Sequence, residues 1–308
     1  MSRYRDVALF FALALLWGGS FVAIEVGLDY YPPVLYAAYR FDVAALALVS
    51  YVLLTESGPL PRTRGDLAAI GFSGGLSVAV NNSFLFVGQQ YTTSGIASIT
   101  YSLVPIATAA VAALWIGGSD LDARGALGVV LAFVGVGLVA QPDPANLAGG
   151  VTIGVGLISI GVLAVAVGSV GLRTVETSFS SIALTGWAML FGGLLIHGLS
   201  LGLGESQQLP STALPAIGAL LFLGVLSSAV GYSIYFTLLD RLGAFEINLV
   251  SYAVPVVATV AGAVLLAEPV TPLTVAGFAV IVVGFTLLKR HAIADEVPRL
   301  LSRVGGLL

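Results

Sequence analysis

The chain has 308 residues, of which 58% are hydrophobic and only 9% charged, with a mean hydropathy of +1.03 and a net charge of −4. Soluble domains carry roughly 25% charged residues, so a water-facing globule is excluded and an integral membrane protein is expected. Cysteine is absent and histidine occurs twice, which removes disulfides, thiolate chemistry and Cys-based metal sites and leaves little for zinc.

The opening "MSRYRDVALFFALALL" has a basic start before an apolar run, as a signal peptide would. The run continues to Leu28 with no small-x-small cleavage site, so it reads as a first membrane helix. About 20 helical residues cross ~30 Å of hydrocarbon, and snorkelling flanks let shorter runs suffice. Ten runs qualify: 7–28, 33–54, 66–88, 95–117, 124–140, 150–172, 181–203, 214–239, 244–267 and 272–288. Breaks such as "DYYPP", "QPDPANLAGG" and "EPVTP" set proline or glycine beside charge, the punctuation of helix ends.

In the first run Trp17, Phe21 and Glu25 recur every four residues as one stripe. Gly18 and Gly19 stand near the midplane, where they either admit a close neighbour or allow unwinding as a hinge. In the second run Arg40 falls roughly 10 Å below the outer boundary, and Asn81 and Asn82 of the third run reach a similar depth. A lipid-facing arginine costs on the order of 3 kcal/mol. Arg40 is therefore expected to face inward and pair with Glu25, with Asn81 or Asn82 in reach. Asp42, about 200° around the helix from Arg40, then meets another neighbour. The pair is either a structural clasp or part of a solute path that binds charge or changes protonation.

Further polar stripes follow: Ser73, Ser77 and Asn81; Tyr101, Pro105 and Thr108; Ser228, Tyr232 and Tyr235; Asn248, Tyr252, Pro255 and Thr259. Together they predict a cavity of hydroxyls, amides and aromatic faces suited to an amphipathic solute. Against this stands interhelical hydrogen bonding, worth about 1 kcal/mol each. Pro105 and Pro255 each delete a backbone hydrogen bond and mark either flexing points or static bends. Glu246 is either an interfacial partner of Arg241 or a proton-accepting coupling site, the role also open to Glu25. His197 reads as an interfacial histidine.

Eleven of the twelve basic residues, all but Arg40, fall on one side of a ten-helix chain, which makes that side and both termini cytoplasmic. "YSLVPIATAAVAALW" (101–115) resembles "SYAVPVVATVAGAVL" (251–265), and "GVVLAFVG" (128–135) resembles "GFAVIVVG" (277–284). Five helices per half make the repeats inverted, as in transporters that alternate access around a midplane site. The expected architecture is all-α, ten transmembrane helices in two inverted five-helix repeats. The segments are 1–140, an extracytoplasmic connector 141–149, a second repeat 150–290 and a cytoplasmic tail 291–308.

The segments "LWGGSFVAIEVGL", "YAAYRFDVAAL", "PIATAAVAALWIGG" and "PVVATVAGAVLLAEPVTPLTVAGFAVIVVG" resemble the drug/metabolite transporter superfamily, nearest its EamA-type branch, over 7–290. That resemblance implies export of a small organic metabolite, amino-acid-like or amphipathic, through a cavity between the halves. The family often places a glutamate after the fourth helix of each half: Glu268 fits, whereas the first half reads Gly118, Ser119, Asp120. No phosphate-binding loop, zinc-protease motif or calcium loop occurs, so neither an enzyme nor a cofactor is expected. The expected partners are a small-molecule substrate and the lipid bilayer of the cytoplasmic membrane, with no nucleic acid and a homodimer left open. A passive channel or a lipid-handling protein are the alternative functions.

Overall fold

The computed structural model describes residues 2–56, 60–117, 122–141, 149–243, 247–288 and 290. Every regular element among them is helical. Eight helices are long and apolar enough to cross a membrane: α1 (Ser2–Leu28), α2 (Pro33–Thr55), α3 (Arg64–Gln89), α4 (Ser94–Trp115), α5 (Ala123–Ala140), α6 (Gly150–Leu172), α7 (Ser181–Gly202) and α8 (Leu214–Leu242). Two shorter apolar helices follow, α9 (Val250–Leu265) and α10 (Pro272–Leu288). Residues 142–148 of the expected connector, the tail 291–308, Asp120 and Glu246 lie outside the described residues.

Local chemistry sets the helix ends. Thr63 and Asp66 form a reciprocal capping box at the start of α3, while Asp122 and Ser180 cap α5 and α7 through their side-chain oxygens. Left-handed residues end three helices: Gly117 (φ 59°) after α4, Gln141 (φ 45°) after α5 and Ala267 (φ 55°) after α9.

Polar contacts between the helix ends fall into two sets, one at each end of the bundle. At one end Arg241 meets Asp6 at 3.0 Å, Arg290 meets Asp122, and Ser180 Oγ donates to Glu56 at 2.7 Å. The buried Asp66 carboxylate there also accepts the Ser178 amide (2.8 Å) and the Thr177 hydroxyl (2.9 Å), which ties the α6–α7 loop to α3. At the other end Glu205 accepts the amides of Val34 and Leu35 at 3.0 and 2.8 Å, a carboxylate on the N-terminus of α2. Glu268 likewise accepts the Ser94 amide and hydroxyl at 3.0 and 2.9 Å, at the start of α4. Gln141 donates to Thr271 at 2.6 Å. The first end carries the described basic residues of the loops.

α3 and α8 each widen into a π-helical stretch, Gly71–Val80 and Phe222–Val230. Wide coils displace carbonyls from the regular ladder and recur at functional sites. α4 is interrupted at Ser102 and Leu103. Just before Pro105, Ser98, Thr100 and Ser102 turn their hydroxyls back onto the Gly95, Ile96 and Ile99 carbonyls, a pattern that bends helices. α9 instead runs unbroken through Pro255. Asn248, Val250 and Tyr252 stand where a 150-residue offset from Ser98, Thr100 and Ser102 falls, so none of the three back-bonding Ser/Thr hydroxyls has a counterpart there.

Packing order differs from chain order. α2 lies chiefly against α7 and the wide segment of α8, whereas α1 lies against α9 and that same segment, so α8 is inserted between α1 and α2. α5 and α10 form the most extensive helix pair. Glycines bring their backbones together, Gly128 facing the Gly284 carbonyl and Gly135 facing that of Gly277.

Candidate functional site

Arg40 and Glu25 do not pair. Arg40 Nε donates to Ser228 Oγ at 3.2 Å, and its guanidinium carbon stands 5.2 Å from the centre of the Phe41 ring. Among the described residues the three ion pairs are His197–Asp42, Arg241–Asp6 and Arg290–Asp122, and Arg40 is in none. The reason is the packing order: chain neighbours α1 and α2 touch only sparsely, and the wide part of α8 offers Arg40 its partner.

That segment assembles the site. Trp17 Nε1 donates to the Ser227 carbonyl at 3.2 Å, so consecutive residues of α8 anchor the indole of α1 and the guanidinium of α2. Gly231 leaves room for the indole, since a β-carbon there would lie 2.8 Å from Trp17 Nε1. Trp17 stacks on Tyr235 at 5.5 Å between ring centres and leans on Tyr232 at 5.7 Å. From α4, Tyr101 meets Phe21 at 6.0 Å and accepts from Asn81 Nδ2 at 3.1 Å. Arg40 is in electrostatic reach of the Tyr232, Tyr101 and Tyr36 hydroxyls. Protein surrounds the guanidinium, yet Arg40, Trp17, Tyr101, Tyr232 and Tyr235 all retain accessible surface. They are partly buried side chains at the margin of the main core.

Glu25 belongs to a second location, near the C-terminal end of α1. Gln89 Nε2, on a fully buried side chain, donates to Glu25 Oε2 at 3.2 Å and to the Phe21 carbonyl at 2.6 Å. The charged groups acting on Glu25 are Glu268 and Asp29, both acidic. With Val26 and Leu266 these three carboxylates line a pocket of about 240 Å³.

Several other expectations are corrected. Asn82 turns back to the Val78 carbonyl at 2.8 Å, and Asn81 reaches Tyr101 rather than Arg40. Asn81 and Ser77 press on Gly161 and Gly168 of α6, so that stripe serves helix packing. Tyr252 packs on Phe285 of α10 at 4.4 Å and Thr259 crowds Gly95, which turns that face of α9 away from the cluster. Asn248 is half-buried just before α9. Gly18 and Gly19 are not an unwound hinge: α1 is continuous through them, and added β-carbons would meet Val257 at 2.6 Å and Phe222 at 2.9 Å. Asp42 does meet another neighbour, His197 of α7, at 2.8 Å.

Sequence reasoning missed Ser228 as the arginine's partner, Gln89 as that of Glu25, and Glu268 as a helix cap across the halves. The "SS" of "GVLSSAVGY" inside an apolar helix was the available signal for the first.

The model of the EamA-like transporter family matches this chain twice, over residues 6–141 and 152–290. The chain belongs to the EamA-like transporter family. With it the chain joins the drug/metabolite transporters. Relatives of this EamA-like protein include an uncharacterized transporter of Archaeoglobus fulgidus, 29% identical over 274 residues, 89% of this chain and 95% of the other. The inner membrane transporter YedA of Escherichia coli K12 is 30% identical over 90% of this chain and 88% of its own. A probable amino-acid metabolite efflux pump of the same strain is 28% identical over 92% and 94%. A crystal structure of a protein matches the fold with a TM-score of 0.63 at 18% identity, covering 95% of this chain and 99% of that one. The EamA-like chain is thus a multi-pass membrane protein of a transporter family.

Proposed function

We propose that this protein is a secondary transporter that moves a small organic metabolite across the cytoplasmic membrane by alternating access. The observation that carries the reading is the partly buried cluster of Trp17, Arg40, Tyr101, Tyr232 and Tyr235, in which Trp17 and Arg40 are anchored on the wide coil of α8. Helices 1–5 and 6–10 act as two halves of opposite orientation, with all ten helices crossing and both termini cytoplasmic. Three matched features support this. The family model matches each half. The third helix of each half carries a π-helical stretch at nearly the same place. The glycines of α5 and α10 meet reciprocally, 128 with 284 and 135 with 277, as a two-fold axis between them requires. Export follows from the family and the efflux pump among its relatives.

Carboxylates at the outer end offer a coupling route. Glu25 lies between the outer pocket and the stripe of α1 that leads to Trp17, and proton coupling is assigned to it. The test is counterflow in proteoliposomes across a panel of amino acids and organic acids, with and without an imposed pH gradient. A carrier gives saturable, trans-stimulated flux for at least one solute, and Glu25→Gln keeps counterflow but loses pH-driven accumulation. Linear, non-saturating flux for every permeating solute would mark a channel and contradict the proposal.

A further inference from the structure

We infer that the Arg40 cluster selects a monocarboxylate with an apolar, planar body, an organic anion rather than a zwitterionic amino acid. The inference rests on the cluster being the solute site, as proposed above.

The first observation is the unused charge. Nε of Arg40 is bound to Ser228, and the two terminal nitrogens meet no hydrogen-bond acceptor among the described residues. They are not sealed off, because Arg40 is only partly buried and its nitrogens are not among the fully buried unpartnered atoms. A guanidinium presents two parallel N–H donors with carboxylate spacing. Here one edge is fixed by the Nε bond and the fork is left for a ligand.

The second observation is the sign of the surroundings. The groups facing Arg40 are the Ser228 hydroxyl, the Phe41 ring and the hydroxyls of Tyr36, Tyr101 and Tyr232, none of them a carboxylate. Asp42, two residues on, is turned to His197, and Glu25 is held at the outer pocket by Gln89. The site therefore carries a single positive charge that one anionic group neutralises. The ammonium of an amino acid would add a second positive charge beside it with no acidic partner, and an unpaired ion away from water is costly.

The third observation is shape. The Tyr232 ring is in electrostatic reach of the guanidinium and leans on the indole of Trp17, which is anchored on Ser227 next to the arginine's anchor Ser228. Their faces suit a planar apolar body.

The test is equilibrium binding of four phenyl compounds of differing charge to the purified full-length protein in detergent, followed by tryptophan fluorescence and thermal shift. The probes are 3-phenylpropionate, phenylalanine, 2-phenylethylamine and 3-phenylpropanol. The anion is expected to bind at least about tenfold tighter than each of the others, the factor a charge-assisted hydrogen bond supplies. Arg40→Met is expected to abolish that preference, and Trp17→Ala to weaken the anion and the alcohol alike. Equal affinity for anion and amine, tighter binding of phenylalanine, or an anion preference that survives Arg40→Met would overturn the inference. The wild-type comparison decides even if a variant misfolds. Anion binding without counterflow would sink the transport reading alone, whereas counterflow of a solute bound without anion preference would sink this one alone.

Discussion

Single residues carry the clearest departures from ideal backbone. Ala267 adopts φ 55° where the matching end of α4 has Gly117 at φ 59°. A β-carbon in that conformation costs roughly 1–2 kcal/mol, partly offset by the greater unfolded freedom of glycine, about 0.4–1 kcal/mol. Ala267→Gly is therefore expected to raise thermal stability slightly, read as an upward shift in the detergent melting temperature. An unchanged or lower melting temperature would mean that the turn carries no net strain. Position along a helix was legible at this scale and partnership was not. Spacing along the helices put Glu25 near the C-terminal end of α1 and Arg40 within α2. Their pairing failed because sequence adjacency of α1 and α2 says nothing of a later helix inserted between them, and the amide of Gln89 gives no charge signal.

Elements show how small residues and hydroxyls decide what a helix does. A β-carbon at Gly135 would lie 2.6 Å from the Gly277 carbonyl and 2.7 Å from Ile281, so α5 and α10 approach only because both positions are bare. Gly135→Leu is expected to destabilise the protein by about 1–3 kcal/mol, the usual cost of overpacking, or to abolish its recovery as a monodisperse species. A melting temperature equal to wild type would mean that the two helices do not approach so closely. The glycine repeat was visible in the sequence as a similarity between halves. Its meaning as a contact was not, because a repeat identifies equivalent positions and not which of them touch. Matched prolines have unlike settings: Pro105 sits just after an interruption at Ser102 and Leu103 behind three back-bonding hydroxyls, whereas Pro255 sits within α9, which begins after a turn at Leu249.

At the scale of the molecule, the polar ties between loops divide into two ends, and the loop arginines described all lie at one. Apolar runs made the helices themselves readable from the sequence alone, since hydrocarbon leaves a chain few ways to satisfy its backbone. The interior was less readable, because stripes of serine, asparagine and tyrosine look alike whether they glue helices or line a path. The stripes of α3 and α9 face neighbouring helices, and those of α1 and α8 meet around Arg40. The cysteine-free chain allows the central claim, a solute site served from both faces, to be measured directly. A single Tyr232→Cys in sealed vesicles is exposed to a membrane-impermeant thiol reagent at one face or the other, with Thr174→Cys in the α6–α7 loop as the one-sided control. The account predicts labelling of residue 232 from each face, slowed from both by saturating 3-phenylpropionate. Labelling from one face only, or from neither while the control reacts, would contradict it.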